Sequence, residues 1–207
     1  FSKAKGEWIL NLDADERVTD EFCKEITEVL PKTTYDGFWI FYNNHFMGKR
    51  LLHGDKMRKL ALLRVGKGGY ERIEDDKWSS LDMEVHEHLV VNGPVGRIKS
   101  AVLHSNMKNL HDYYARHNEY STWEALRSLS LSGGNKGSPL TRRQSMKYFF
   151  IKSIWFPLAY FLYSYFFRLG FLDSREGFIF NLSKMFYFYQ IKFKLDELSF
   201  LRCVKKE

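Results

Sequence analysis

The first residues of the chain alternate between short apolar runs and polar breaks. Residues 7–12 (EWILNL) form a short run with Trp and Ile, which predicts a buried strand, and the acidic segment 13–16 (DADE) follows it. Thr19 then stands where a helix N-cap belongs, and apolar residues recur at helical spacing until Pro31. A strand, an acidic loop and a helix in this order indicate an α/β domain.

Further strands are predicted between residues 37 and 104. Four runs rich in β-branched or apolar residues carry this prediction, at 37–46, 59–65, 83–91 and 100–104. Glycines at 66, 68 and 69 are expected to break the chain after the second run, and the charged stretch 72–80 predicts a loop.

The pattern changes near residue 110. Aromatic and apolar positions over 110–126 suit a helix, whereas 130–138 is rich in Ser and Gly and predicts a loop. Two long aromatic segments follow, separated by the turn residues 170–174 (GFLDS). The predicted organisation is a domain over 1–109, a helix and linker over 110–141, and a helical region over 142–207.

Charge distinguishes the last region from the rest. The chain has 32 Lys and Arg against 25 Asp and Glu, a net charge of +7. Residues 1–141 contain 20 of each sign, whereas residues 142–207 contain 12 basic and 5 acidic residues together with 20 of the 35 aromatic residues. A basic and aromatic region is typical of a surface that binds anionic lipid. Nucleic acid is the competing anion, but the aromatics form long apolar runs, so no nucleic-acid partner is expected.

The mode of membrane association is also predicted from this region. Residues 148–167 include one lysine and approach the roughly 20 apolar residues of a spanning helix, but Pro157 is expected to kink them. Residues 177–200 are interrupted by three lysines, which predicts a helix lying in the membrane interface. We therefore expect a monotopic helical pair with its basic residues on headgroups. A hairpin through the bilayer and a helical cap packed on the catalytic domain are the alternatives.

Composition excludes several classes of protein. A chain of 207 residues with 44% hydrophobic residues is neither disordered nor collagen-like. Two cysteines, Cys23 and Cys203, exclude a disulfide scaffold and a four-cysteine zinc site, and they do not contradict a reducing compartment.

The acidic segment carries the sharpest chemical signal. Asp13 and Asp15, one residue apart on a turn, are able to share Mg²⁺ or Mn²⁺ and leave positions for phosphate oxygens. An acidic loop that only caps the following helix is the alternative. It is the favoured one when the D-x-D pattern stands alone.

Its context favours the metal-binding interpretation. Residues 6–17 (GEWILNLDADER) strongly resemble the "G-E-W-I-L-x-L-D-A-D-E" segment of family-2 inverting glycosyltransferases with the GT-A fold. Further similar segments follow in order, at 58–64, 85–89 (VHEHL), 102–104 (VLH), 118–121 (NEYS) and 170–173 (GFLD). The pattern is similar to the bacterial subgroup that builds the lipopolysaccharide core, the core β-glucosyltransferase-like group.

The resemblance implies a fold and a function. The implied fold is the C-terminal portion of a GT-A, Rossmann-like nucleotide-diphospho-sugar transferase domain, followed by aromatic-rich membrane-associated helices. The implied function is metal-assisted, inverting transfer of a sugar from a nucleotide-sugar donor to a lipid-linked or lipopolysaccharide-core acceptor. We expect a peripheral or monotopic protein on the cytoplasmic face of the inner membrane. The family's N-terminal strand–helix units have no counterpart, so the chain is expected to begin inside the catalytic domain.

The resemblance also assigns roles to the metal candidates. Asp13 and Asp15 are expected to bind the cation, Asp15 as the more direct ligand and Asp13 also as a donor-binding residue. His104 is a third candidate ligand, because GT-A enzymes often add a His from a later strand. A buried structural histidine at a strand end is an equal alternative.

Glu87 is the predicted general base. In the strand predicted over 83–91, side chains alternate, so Glu87 lies between apolar neighbours, which raises a carboxyl pKa and suits a base. A surface ion pair is the alternative, and the family pattern favours the base. His86, a candidate substrate-binding residue, shares the other face with His88. The H-E-H spacing differs from that of the H-E-x-x-H zinc helix, which disfavours a zinc hydrolase.

Two arginines are predicted to bind an anion. Arg58 and Arg64 are candidates for the donor diphosphate or an anionic acceptor, because a guanidinium grips phosphate with two hydrogen bonds. Solvated charges on an edge strand are the alternative. For the chain as a whole, the alternative function is a non-enzymatic membrane- or nucleic-acid-binding module.

Overall fold

A computed structural model describes residues 4–70, 89–104, 109–132 and 142–204. The chain is a mixed α/β protein that divides into two compact units, each with its own hydrophobic core. Of the described residues, 4–70 and 89–104 belong to the first unit, and 109–132 and 142–204 to the second.

A mixed sheet forms the centre of the first unit. Within the described residues it has six strands: β1 (Trp8–Leu10), β2 (Glu16–Arg17), β3 (Gly37–Phe46), β4 (Lys49–Arg50), β5 (Arg58–Arg64) and β8 (Val95–His104). Their order is β1-β5-β3-β8-β2, with β4 paired to β3. The β3–β8 pair is parallel and the other pairs are antiparallel. A separate antiparallel pair joins β6 (Gly68–Tyr70) to β7 (Leu89–Val91).

The strand predictions are mostly confirmed. Strand β3 has the predicted bounds, β5 begins one residue earlier than predicted, and β8 extends the predicted run 100–104 back to Val95. The first strand is present as β1, but the prediction that it is buried is wrong. It is an edge strand of the described sheet, and its three residues are only half-buried.

The predicted break at the glycines is only partly confirmed. Gly66 does turn the chain, with φ of 78°. Gly68 and Gly69 instead belong to β6. A Cβ on Gly68 would lie 2.2 Å from the carbonyl oxygen of Val90, so the absent side chain lets the two strands approach.

Helix α1 (Asp20–Val29) confirms the predicted N-cap. The Thr19 hydroxyl accepts a hydrogen bond from the Phe22 N–H at 3.1 Å, and Phe22 is fully buried in the core. Glu25 fastens the helix to β8, since its carboxylate accepts the backbone N–H groups of Lys99 and Ser100 at 2.8 and 2.7 Å. The fully or nearly fully buried core residues are Phe22, Phe38, Ile40, Tyr42, Ala61, Leu62, Ile98 and Val102.

The second unit is helical in its described residues. Its α-helices are α2 (Leu110–Ser132), α3 (Arg142–Phe150), α4 (Phe156–Leu162) and α5 (Ser174–Val204). A π-helical turn, Tyr163–Phe167, continues α4, and a 3₁₀ turn, Gly170–Asp173, leads into α5. Helix α2, which the sequence analysis grouped with a linker, packs along α5.

Two predictions for this region are corrected. Residues 148–167 are not one helix, because α3 ends at Phe150 and α4 begins at Phe156. Pro157 lies in the first turn of α4, where its missing N–H costs no helical hydrogen bond, so it starts a helix rather than kinking one. The predicted loop 130–138 begins later, since α2 continues to Ser132. The predicted turn between the aromatic segments is confirmed.

Some predictions fall on residues whose structure is not described. These are the loop 72–80, most of the strand 83–91 and the remainder of the loop 130–138. In the described parts of the chain, no helix combines the length and the hydropathy that crossing a membrane requires.

Candidate functional site

The acidic segment forms a closed turn between β1 and β2. The Asp13 N–H donates to Glu16 Oε2 at 3.0 Å, and the Glu16 N–H donates to the Asp13 carbonyl, also at 3.0 Å. Because β1 and β2 lie at opposite edges of the described sheet, the segment between them passes across one end of it. Three inner strands, β5, β3 and β8, contribute residues to this end.

Lys59, near the start of β5, binds the turn from one side. Its ammonium donates to Asp13 Oδ2 and, at 2.6 Å, to Glu16 Oε1. Burial by itself lowers the pKa of Lys59, but the hydrogen bonds and negative charges of Asp13 and Glu16 outweigh it and raise the pKa overall. Lys59 is therefore a fixed positive charge at the acidic loop at neutral pH.

His104, at the end of β8, lies beside the other aspartate. Its Nε2 is 3.7 Å from Asp15 Oδ2, which makes the two groups electrostatic neighbours. His104 is 4% exposed, and its Nδ1 has no hydrogen-bond partner among the described residues. Burial lowers the pKa of His104, and the charge of Lys59 lowers it further, against the opposing effect of Asp15. The imidazole is thus neutral at neutral pH, the form that binds metal ions.

Tyr42, from β3, completes the inner side of the site. Its ring packs edge-on against His104 with centroids 6.1 Å apart, and the Lys59 ammonium lies 5.3 Å from the ring centroid. Burial raises the pKa of the Tyr42 hydroxyl, and the nearby carboxylates of Glu16 and Asp13 raise it further. The phenol therefore stays protonated over the physiological pH range.

The site has a buried side and an exposed side. The Glu16 side chain is 1% exposed, whereas those of Asp13 and Asp15 are 54% and 33% exposed. The two outer carboxylates are thus accessible to a ligand from solvent. Within residues 4–70, 89–104, 109–132 and 142–204, no group of three or more His, Cys, Asp or Glu side chains is arranged to hold a metal ion.

The two predicted anion-binding arginines lie at opposite ends of β5. Arg58 is exposed, next to Lys59, with its guanidinium 5.3 Å from the ring centroid of Trp39. Arg64 lies five residues from Lys59, about 17 Å along an extended strand.

Arg64 makes its contacts at the end of β5 that is remote from the acidic turn. Its guanidinium donates to Glu7 at 2.7 Å and to the Thr33 carbonyl at 3.4 Å, and it lies 4.8 Å from the ring centroid of Trp8. The structure therefore places His104 beside Asp15 on the acidic turn, where Asp13 is bound to Lys59, and it does not bring Arg64 to that turn.

The predicted base lies outside the described residues. Glu87, and with it His86, belongs to the stretch 71–88, so the roles of both residues stay predictions. Strand β7 begins just after them, at Leu89.

Sequence reasoning missed three residues of the site: Glu16, Tyr42 and Lys59. Lys59 did give a signal, because it stands at the head of an apolar run (KLALLRV). A lysine in a half-buried strand needs a partner of opposite charge, but the sequence does not show that this partner is the DADE turn. Tyr42 gave none, since aromatic residues are ordinary in strands.

Comparisons of the chain with protein-family models, with curated proteins and with solved structures found no match. The fold and the site define a mixed α/β protein that has an acidic turn across one end of its sheet. The glycosyltransferase family stays a prediction from the sequence pattern.

Proposed function

We propose that this chain is part of a metal-assisted glycosyltransferase of the GT-A type. It would transfer a sugar, with inversion, from a nucleotide-sugar donor to a lipid-linked or lipopolysaccharide-core acceptor. The observation that carries the proposal is the acidic turn itself. Asp13 and Asp15 are partly exposed beside the half-exposed Lys59 and the buried Tyr42 and His104, so a charged ligand has both an anionic and a cationic contact at one place.

Two neighbouring side chains at the turn offer atoms that a divalent cation accepts, which supports this part of the proposal. Asp15 offers carboxylate oxygen and His104 a neutral imidazole, and the two atoms lie 3.7 Å apart. Asp13 is shared with Lys59, so Asp15 and His104 are the primary candidates and Asp13 the third. A Mg²⁺ or Mn²⁺ ion bound there neutralises the charge that develops on a departing diphosphate.

Lys59 contributes a second positive charge to the same place. Its ammonium is held by two carboxylates on a β-strand, so it is oriented before any ligand arrives. A preorganised cation next to a diphosphate stabilises developing negative charge with little reorganisation. In this proposal Lys59 and Glu16 keep the turn in the conformation in which Asp13 and Asp15 face the ligand.

The remaining roles come from the sequence pattern. Glu87 removes the proton of the acceptor hydroxyl, and His86 contacts the substrate. Arg58 is exposed at the same end of β5 as Lys59, which supports a phosphate contact. Arg64 is five residues from Lys59 and engaged with Glu7, which leaves it a structural role in this proposal.

The acceptor determines the location of the enzyme. A lipid-linked acceptor stays in the bilayer, so the enzyme has to dock on the membrane where its nucleotide-sugar donor is present. We therefore propose a peripheral or monotopic protein on the cytoplasmic face of the inner membrane. The basic, aromatic residues 142–207 support this location, since they carry 12 Lys and Arg against 5 Asp and Glu.

The test is a panel of sugar nucleotides with Mn²⁺ and the full-length protein. We expect Asp15→Ala to abolish Mn²⁺-dependent donor binding, and Glu87→Gln to leave binding intact while lowering transfer by about 100-fold or more. Glu28→Gln is the matched control, because Glu28 is an exposed carboxylate on α1 away from the turn. Thermal unfolding should be similar for all of these proteins.

Transfer activity retained in both Asp15→Ala and Glu87→Gln would overturn the site assignment. The second candidate is a non-enzymatic membrane-binding module, which the exposed aromatic residues of the second unit favour. A wild-type protein that floats with anionic vesicles but binds no sugar nucleotide, with or without Mn²⁺, would support that candidate instead.

A further inference from the structure

Residues 154–167 form a segment whose solvent-exposed side is entirely apolar or aromatic. The exposed residues recur in pairs spaced by four, which places them on one side of α4 and of the π-helical turn that continues it. We call this side the outer face. It consists of Ile154, Trp155, Leu158, Ala159, Leu162, Tyr163, Phe166 and Phe167.

Its largest side chains are strongly exposed. Trp155 is 72% exposed and Phe167 is 80% exposed. A helix on the surface of a soluble protein normally has polar residues on this side, and contiguous apolar patches of this kind mark interaction sites. The outer face is therefore a candidate interaction surface.

The opposite side of the segment is already occupied. Pro157 and Ser164 are buried. The ring of Tyr160 lies 4.7 Å from that of Phe188, and the ring of Tyr165 lies 5.6 Å from that of Phe178. Both phenylalanines belong to α5, so the segment is held on a 31-residue helix and presents a fixed surface.

The charge around the outer face indicates which partner it binds. Residues 148–172 include two basic residues, Lys152 and Arg168, and no Asp or Glu. Lys152 and Arg168, both exposed, stand on either side of the outer face along the chain. This positive surround complements anionic lipid headgroups. A second copy of the chain would bring the same positive charge to the contact and would be repelled.

The length of the segment indicates how it lies. Helix α4 and the π turn together comprise residues 156–167, about 18 Å of helix, whereas the hydrocarbon core of a bilayer is about 30 Å thick. Trp and Tyr side chains concentrate at the level of the headgroups. An amphipathic helix of this length lies in the interface, parallel to the membrane plane.

We propose that the outer face docks into the interfacial layer of an anionic bilayer. Trp155 and Phe167 enter the acyl boundary, and Lys152 and Arg168 contact the headgroups. Helix α5 supports the segment from the other side and does not itself enter the membrane. This proposal specifies how the membrane association in the proposed function takes place. It rests on that association alone, because it involves no sugar donor or acceptor.

The test is flotation of the full chain with vesicles of phosphatidylglycerol and phosphatidylcholine. The double variant Trp155→Ser/Phe167→Ser should bind at least tenfold more weakly than wild type. The matched control is Phe193→Ser/Phe200→Ser on α5, where the side chains are 57% and 67% exposed. The control should bind within twofold of wild type. Because all four side chains are exposed, circular dichroism should be unchanged in both variants.

A second measurement reports depth. Vesicles with brominated acyl chains should quench the fraction of fluorescence that Trp155→Phe removes. Absence of that quenching, or equal loss of binding in the control variant, would overturn the proposal. So would concentration-dependent dimerisation through the outer face without vesicle binding. No sugar nucleotide is present in either assay, so failure here and failure of the transferase assay are distinguishable.

Discussion

Buried ionisable residues explain much of the local architecture of this protein. In the first unit, Lys59 is hydrogen-bonded to two carboxylates, which raise the pKa of its ammonium and keep it positively charged. His117 in the second unit has the opposite environment. Its ring stacks on Tyr113 with centroids 3.9 Å apart, and its Nδ1–H donates to the Tyr113 carbonyl at 2.8 Å. Burial, together with the positive charge of Lys184, lowers the pKa of His117 to about 4.

This pKa predicts a pH dependence of stability. Between about pH 6.5 and about pH 4, the unfolded chain protonates His117 while the folded protein does not, so stability is full above pH 6.5 and falls as the pH decreases. The midpoint of urea unfolding should therefore fall between pH 7 and pH 5, and His117→Gln should reduce this fall. His111→Gln, on an exposed residue of the same helix, is the control and should keep the wild-type profile. An identical profile in His117→Gln would contradict the prediction.

At the level of secondary-structure elements, single lysines connect segments that are distant in the sequence through hydrogen bonds. Lys59 joins β5 to the turn between β1 and β2. Lys194 joins α5 to α2, where four oxygen atoms lie 2.7–2.8 Å from its ammonium: Asn118 O, Asn118 Oδ1, Ser121 Oγ and Thr122 Oγ1. From the sequence, Lys194 is expected on lipid headgroups, because it interrupts an aromatic run. The structure assigns it to the helix–helix contact instead.

The hydrogen bonds of Lys194 are expected to contribute measurably to the free energy of unfolding. Lys194→Met should lower the free energy of unfolding by about 1–3 kcal/mol, since it removes hydrogen bonds from a charged donor to partly buried acceptors. Chemical denaturation at fixed pH measures this. Arg202→Met, an exposed basic residue on the same helix, should change the free energy by less than about 0.5 kcal/mol. Equal changes in the free energy of unfolding for the two substitutions would show that the Lys194 hydrogen bonds do not stabilise the fold.

At the scale of the whole molecule, charge and aromatic residues are unevenly distributed. Residues 1–141 are balanced, and the net +7 lies in residues 142–207. The carboxylate-free stretch 148–172 contains the outer face. One part of the chain is thus balanced in charge, and the other has the basic and aromatic composition that supports the proposed contact with anionic lipid.

This distribution predicts a salt dependence. Raising NaCl from about 0.1 M to about 1 M shortens the Debye length from about 10 Å to about 3 Å, so binding to anionic vesicles should weaken at least tenfold. Binding to vesicles of phosphatidylcholine alone should be weaker at low salt and nearly independent of salt. Flotation across a salt series measures both. Salt-independent binding to anionic vesicles would remove the electrostatic part of the argument.

Elements whose cause lies within a few residues could be predicted from the sequence. The Thr19 cap, the bounds of β3 and the turn at 170–173 follow from side-chain preferences within a few residues. The acidic turn was likewise recognisable from a continuous segment. Burial was predicted less well, and β1 shows why: an apolar run indicates a strand but not how many neighbours that strand has.

The contacts between residues that are distant in the sequence depend on the tertiary fold. Lys59 is 43 residues from Glu16 and Lys194 is 76 residues from Asn118, so no local pattern relates them. Strand pairing brings β5, β3 and β8 under one turn, and helix packing decides which aromatic residues of the second unit are covered. A periodic pattern shows whether a residue is apolar or charged. The residue that packs against it is known only from the folded chain, because the contact depends on elements far away in the sequence.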